Sequence, residues 1–275
     1  MEIMEILKAA LLGIIEGITE WLPISSTGHM ILADEFLHLN VSPEFLEMFL
    51  VVIQLGAILA VVVLFWGRLW PFTTPSNGWI RKDTFLMWFK ILAACIPAAV
   101  VGLLFDDKIN ELFYNYWTVA AALIIFGILF IVIENHNKTL RPKINSIAEI
   151  TWKAAFLVGI FQLIAAVFPG TSRSGATILG GILIGMSRVT AAEFTFFLAV
   201  PVMLSASLLK LVKFGFVFTS SELVILLTGM IVAFVVSILV IKFLLSYIRR
   251  HDFKIFGWYR ILLGAVVLGY FLVVQ

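Results

Sequence analysis

The sequence is poor in charge and in cysteine. Asp, Glu, Lys and Arg together make up 13% of its 275 residues, about half the share of a soluble domain. Apolar residues reach 62% and mean hydropathy is +1.09, more greasy surface than a water-soluble fold of this length can hide. The single cysteine, Cys95, excludes a disulfide-stapled fold and says nothing of redox compartment. In the apolar run 90–101 it reads as a small buried hydrophobe. No G-x-x-x-x-G-K-[ST] is present, so nothing points to ATP-driven work. No Cys–His cluster offers a zinc site. A net charge of +2, without a basic stripe carrying interleaved aromatics, gives no sign of nucleic acid. The first ten residues hold Glu2 and Glu5 and no basic start, unlike a cleaved signal peptide. What is there is an all-α polytopic membrane protein forming a single integral membrane domain.

A hydrocarbon core about 30 Å thick needs about 20 apolar helical residues to cross it. Residues 45–66, 85–105, 117–133, 193–212, 223–245 and 257–274 meet that need. Their unbroken apolar character excludes the alternating strands of a membrane barrel. Regions 6–37 and 152–186 differ, because each is interrupted at its centre. The breaks read Pro23-Ile24-Ser25-Ser26-Thr27-Gly28 and Pro169-Gly170-Thr171-Ser172-Arg173-Ser174-Gly175. Proline stops one helix and Ser/Thr hydroxyls cap the next, so each region is expected to be a re-entrant helical hairpin. In the second, the returning half-helix is expected over 176–186. Irregular backbone at membrane depth must be buried in protein or line a water-filled cavity, so both breaks should face one.

Loop charges fit that reading. If the hairpins do not cross, Arg68, Arg81 and Lys82 share a side with His136, Lys138, Arg141 and Lys143, and with Arg249, Arg250 and Lys254. This satisfies the positive-inside bias. The acidic connection Asp106-Asp107 and both chain ends then lie on the external side.

The two broken regions also match each other at an offset of 146, pairing Gly13 with Gly159, Glu16 with Gln162, Pro23 with Pro169 and Glu47 with Glu193. With one residue inserted, Gly28 meets Gly175, while Thr118 and Gly127 correspond to Arg260 and Gly269. The pattern predicts one repeat over about 1–134 and a second over about 150–275, joined by a basic loop at 135–149. With three spans per half the repeats are inverted, an architecture that places a site where discontinuous helices meet.

Some polar residues are too costly to be decoration. Glu16 and Glu20 are four apart and share a helix face. A charge deep in a bilayer costs roughly 2.5–3.5 kcal/mol, so something cationic must offset the pair: a metal, an arginine or a shared proton. Arg173 is the evident counter-charge, and with Thr171, Ser172 and Ser174 at a helix N-terminus it makes a cradle for phosphate oxygens. Ser25, Ser26 and Thr27 approach from the other hairpin, one of the serines serving as a cap. Oxygen ligands from Glu16 and Glu20 would favour a hard divalent cation, Mg²⁺ or Ca²⁺. His29 closes the first turn and Arg260 opens the last span; each also admits a plainer reading, as a satisfied polar group and an interface anchor.

The stretches Glu16-Gly-Ile-Thr-Glu20-Trp-Leu-Pro-Ile-Ser-Ser-Thr-Gly-His29 and Pro169-Gly-Thr-Ser-Arg-Ser-Gly175 closely resemble two signature motifs of the undecaprenyl-diphosphate phosphatase family, the bacitracin-resistance proteins. The resemblance extends over nearly the whole chain, through Val51-Val-Ile-Gln-Leu-Gly56, Ala192-Glu193-Phe194 and Tyr259-Arg260. It implies hydrolysis of a C55 isoprenyl diphosphate to its monophosphate, which recycles the lipid carrier of cell-wall synthesis. It also implies a divalent-cation requirement and a site open to the external face of the bacterial plasma membrane. By matching position it implicates Glu16, Glu20, Ser26, His29 and Arg173 in catalysis, Glu16 and Glu20 also as metal ligands. Arg260, Ser25, Thr27, Thr171, Ser172 and Ser174 fall to substrate binding. The expected partners are a polyprenyl diphosphate lipid and the bilayer, with no nucleic acid and a homodimer left open. The attacking group stays open between Ser26, a water and His29, the last also serving as proton donor or phosphate contact. A secondary transporter or lipid flippase with a midplane phosphate site is the alternative reading.

Overall fold

The computed structural model describes residues 3–73, 79–138 and 140–274. Among them the chain forms helices and no strand, only two isolated bridges. Six helical segments are long and apolar enough to cross a bilayer, matching the six expected spans. Their outward faces carry bare hydrocarbon, with Leu103 77%, Leu239 64% and Leu262 64% exposed. That is a lipid-facing belt on a polytopic membrane protein.

The two broken regions are helix–turn–helix pairs. Helix α1 (Ile3–Thr19) turns into α2 (Ser26–Asp34), and α8 (Trp152–Val167) into α9 (Arg173–Ile184). Each pair returns to where it began. Lys8 Nζ donates to His38 O at 2.6 Å and Asn40 N to Glu5 Oε2 at 2.8 Å, closing the base of the first. In the second, Ile144 N donates to Gly185 O at 3.0 Å and Ser187 N to Ile144 O at 2.8 Å.

The spans between them are α3 (Pro43–Val52) with α4 (Gln54–Leu64), α6 (Lys82–Phe113) and α7 (Tyr116–Asn137), then α10 (Arg188–Phe214), α11 (Ser220–Ile248) and α12 (Lys254–Val274). A one-turn helix, α5 (Trp66–Leu69), follows α4. Side-chain caps start most of them: Ser42 with Pro43 at the first turn, Asn115, Ser187, and a reciprocal Thr219–Glu222 box.

The first span runs over Pro43–Leu64, with a one-residue turn at Ile53 between α3 and α4. Two expectations from sequence need correction. The chain does not leave its helix at Asp106-Asp107, because α6 continues to Phe113; no proline or glycine follows Gly102 to stop it. Helix α9 begins at Arg173 rather than 176 and ends at Ile184, stopped by Gly185 in the left-handed conformation (φ 98°).

Packing crosses between the two halves of the chain. Helix α1 lies on α11, and α8 on α6. Both contacts need a missing side chain at matched positions. A Cβ at Gly13 would sit 2.6 Å from Gly229 O, and one at Gly159 would sit 2.3 Å from Ala94 O. Close backbone approach of this kind is what small residues permit between membrane helices. Helix α10 runs antiparallel beside α3 and α4, with an ion pair at each end: Glu47 with Lys210, and Glu193 with Arg68 at 2.8 Å. The core fills the space behind the two turns with Trp21, Phe130, Phe194, Phe196 and Phe197, all buried.

Candidate active site

The two turns meet tip to tip in the interior. Each is built on the same local device, a serine N-cap in the left-handed region: Ser25 at φ 73° and Ser172 at φ 70°. Ser25 Oγ accepts from Gly28 N at 3.3 Å, and Ser172 Oγ accepts from Gly175 N at 3.1 Å. A non-glycine residue held there costs on the order of 1–3 kcal/mol and survives only where the surroundings over-determine it. Ser25 is therefore the capping serine, which leaves Ser26 in the first turn of α2 with its hydroxyl free for other work.

Glu20 binds the halves together. Its Oε1 accepts from Arg173 Nη2 at 2.7 Å, and its Oε2 accepts from Ser26 Oγ at 3.1 Å. Carboxylate and guanidinium side chains are 8% and 14% exposed, so this pair is shielded from water. Glu16 sits one turn back in α1, 1% exposed, and its Oε1 has no hydrogen-bond partner. Arg173 is held in turn by Thr195 O at 3.3 Å and Met203 Sδ at 3.5 Å. Thr195 Oγ1 donates to Thr177 Oγ1 at 2.9 Å, and Thr177 donates to Arg173 O at 2.8 Å. This ring aims the guanidinium.

Arg260 is wholly buried on the second turn of α12. Its guanidinium donates to Pro23 O at 3.3 Å in one turn and to Gly170 O and Thr171 O at 2.9 and 2.8 Å in the other. Rather than opening the span as an anchor, it fastens both tips. Thr171 is fully buried and its Oγ1 has no partner. Ser174 Oγ reaches Ser172 Oγ at 3.1 Å. Thr27 is half-buried on the first turn of α2.

His29 occupies both ring nitrogens. Nδ1 lies 2.7 Å from Ser25 O, and Nε2 lies 2.7 Å from the Tyr259 hydroxyl. A backbone carbonyl only accepts, so Nδ1 carries the proton; in the neutral ring Nε2 then accepts from Tyr259. Sequence reasoning gave no role to Tyr259, Thr177, Thr195 or Met203. Tyr259 was the one with a signal, since it precedes Arg260 in a motif already noted.

The residues suit a divalent cation. Glu16 offers an orphaned buried carboxylate oxygen beside Glu20, and a magnesium-type ion is commonly held by one or two carboxylates plus substrate phosphates. Among the described residues no group of three or more His, Cys, Asp or Glu side chains forms a metal cage of protein ligands alone. A cation here would depend on its substrate for the remaining oxygens.

The fold and the site define a class: an all-α polytopic membrane protein with an acid–guanidinium–hydroxyl cluster buried where two helix turns meet. Residues 9–266 match the family described as bacitracin resistance protein BacA. The chain belongs to that family. It is 68% identical to the undecaprenyl-diphosphatase of Desulfitobacterium hafniense, over 98% of each chain. It is 66% identical to undecaprenyl-diphosphatase 1 of Clostridium acetobutylicum over the full length of both, and 64% identical to the undecaprenyl-diphosphatase of Acetivibrio thermocellus over 99% of this chain and all of that one.

Proposed function

We propose that this protein hydrolyses undecaprenyl diphosphate to undecaprenyl phosphate, returning the lipid carrier to peptidoglycan synthesis and thereby giving resistance to bacitracin. The observation that carries the reading is Glu20, which holds the Ser26 hydroxyl at 3.1 Å with one oxygen and Arg173 at 2.7 Å with the other. A hydroxyl on a carboxylate, beside a guanidinium suited to phosphate oxygens, is the arrangement of an activated nucleophile at a phosphoryl group.

Arg173 and the backbone N–H groups at the start of α9 bind the diphosphate. Ser26 Oγ attacks the terminal phosphorus in line while Glu20 takes its proton; the bond to the bridging oxygen breaks and the lipid monophosphate leaves. Glu20 passes that proton to the departing lipid phosphate, then takes one from a water that attacks the phosphoserine; the Ser26 Oγ–phosphorus bond breaks, Ser26 regains the proton from Glu20, and inorganic phosphate leaves. Positive charge fixed in advance around the transferring group is the largest contribution to such a rate. A divalent cation, held by Glu16 and Glu20, would supply further positive charge at the phosphate oxygens. His29 positions the first turn against α12 through Tyr259, and as a proton donor it would first have to lose that bond. Arg260 keeps the two turns in register.

The same reading makes the helix pairs re-entrant and the halves an inverted repeat. The closed bases of both pairs support it, as do the exchanged packing of α1 on α11 and α8 on α6 and the paired ends of α10. The site then opens to the external face of the plasma membrane, opposite the basic loops, and one copy holds all of its groups, so a homodimer would not be needed for chemistry. The test is release of inorganic phosphate from C55 diphosphate by purified protein in detergent. Turnover there, where no gradient exists, is expected; binding without turnover would favour the transporter or flippase reading instead.

A further inference from the structure

A polar cavity lies away from this site, at the end of the molecule that carries the basic loops. It has a volume of about 730 Å³, between the end of α7, the turn joining α9 to α10 and the end of α11. Lys138, Arg141, Lys143, Arg188 and Arg249 line it against one acid, Glu134. That acid is spent: buried, it accepts from Arg188 Nε at 2.9 Å and from Phe253 N at 3.0 Å. The neighbouring Asp252 is taken by Lys254 at 3.0 Å. Among the described residues no ion pair engages Lys138, Arg141, Lys143 or Arg249.

Four cations on one cavity and outside every ion pair repel each other, and the acid that acts on Lys138 through space, Asp252, is already paired with Lys254. A further donor, Asn137 Nδ2, is buried at the cavity wall without a partner. Both observations call for an anion with several acceptor oxygens. The rim selects its kind, because Leu140 (55% exposed) and Leu183 (49% exposed) flank the cations with open hydrocarbon. A soluble ion gains nothing from such a rim, whereas a lipid phosphate places its headgroup on the cations and its chains along the leucines. The cavity size is that of a small-molecule site, and basic pockets between membrane helices on this kind of face favour anionic headgroups.

We propose that this cavity binds the phosphate headgroup of an anionic phospholipid, apart from the catalytic turns. The test uses the full-length protein, delipidated in detergent and titrated with phosphatidylglycerol or phosphatidylcholine, with bound lipid counted by native mass spectrometry. The cavity variant is Lys143→Gln with Arg249→Gln, both exposed and outside every ion pair given above. Its control is Lys82→Gln with Lys153→Gln, which removes equal charge elsewhere on the exposed surface. Wild type is expected to retain phosphatidylglycerol in preference to phosphatidylcholine. The cavity variant should weaken that retention by about tenfold, given a few-fold per cation near a headgroup. The control should not, Lys143→Arg with Arg249→Lys should restore it, and millimolar inorganic phosphate should not displace the lipid. Unchanged retention in the cavity variant, or equal loss in the control, would overturn the site. Displacement by inorganic phosphate would overturn the lipid as its ligand. Unaltered helicity of both variants by circular dichroism excludes misfolding as the cause of a loss.

Discussion

The turn between α1 and α2 and the turn between α8 and α9 share a skeleton and divide the chemistry. Both have a proline before the break, a serine N-cap with positive φ, and a glycine N–H on that serine. The first carries two carboxylates and the free hydroxyl; the second carries the guanidinium. Where the first has Glu16, the second has Gln162, 2% exposed with neither amide atom partnered. The fold therefore does not require a charge at that position. Two turns can share strain and capping while opposite charges are divided between them.

The largest effects should come from breaking the exchange of charge between the turns. Arg173→Ala or Glu20→Gln should each lower kcat by about 10³ in a phosphate-release assay, the scale of losing one preorganised electrostatic group at a transition state. The exchange Glu20→Arg with Arg173→Glu would rebuild the contact in reverse. It should recover thermal stability relative to either single change but no activity, because the base and the cradle are then on the wrong turns. Turnover in the exchanged protein would refute the division.

Next comes the difference between Glu16 and Gln162. Glu16→Gln should reduce turnover by about 10² and flatten its response to Mg²⁺ and Ca²⁺ after chelator treatment, since one of the two hard ligands is lost. Gln162→Glu should instead leave that response intact and lower stability by about 3 kcal/mol, because it buries a carboxyl without a partner where an unpaired neutral amide stood. Melting curves and metal titrations of the two variants separate the roles.

The shared capping should respond alike on both sides. Ser172→Ala removes the cap and keeps the unfavourable φ, so it should destabilise by about 0.5–2 kcal/mol, with an effect of the same size at Ser25. Glycine at either position should cost less than alanine, because it accepts the positive φ. The smallest effect belongs to Tyr259→Phe. It frees His29 Nε2 while keeping the ring contact, and should change kcat by only about fivefold, the worth of about one hydrogen bond.

The spans were legible because twenty apolar residues in a row have few other uses, and the two turns because Pro, Ser, Thr and Gly cluster only there in otherwise greasy sequence. Glu20 and Arg173 could be paired on charge alone, since a buried carboxylate needs a cation. What stayed hidden depended on distant chain segments meeting. Arg260 reads from its neighbours as a substrate contact or an anchor, and its hold on three carbonyls from two separate turns is invisible there. The bond between Tyr259 and His29 spans 230 residues of sequence, and no local pattern announces it. The overrun of α6 past Asp106-Asp107 is hidden because a charged pair reads as a loop, although Lys108, Glu111 and Leu112 beyond it are good helix formers.

Arg260 also limits how the molecule can breathe. One guanidinium clasps the carbonyls of both turns at the centre of the protein, so separating them strands a desolvated cation along with its acceptors. Parting the turns on one side alone breaks the same clasp as parting them fully.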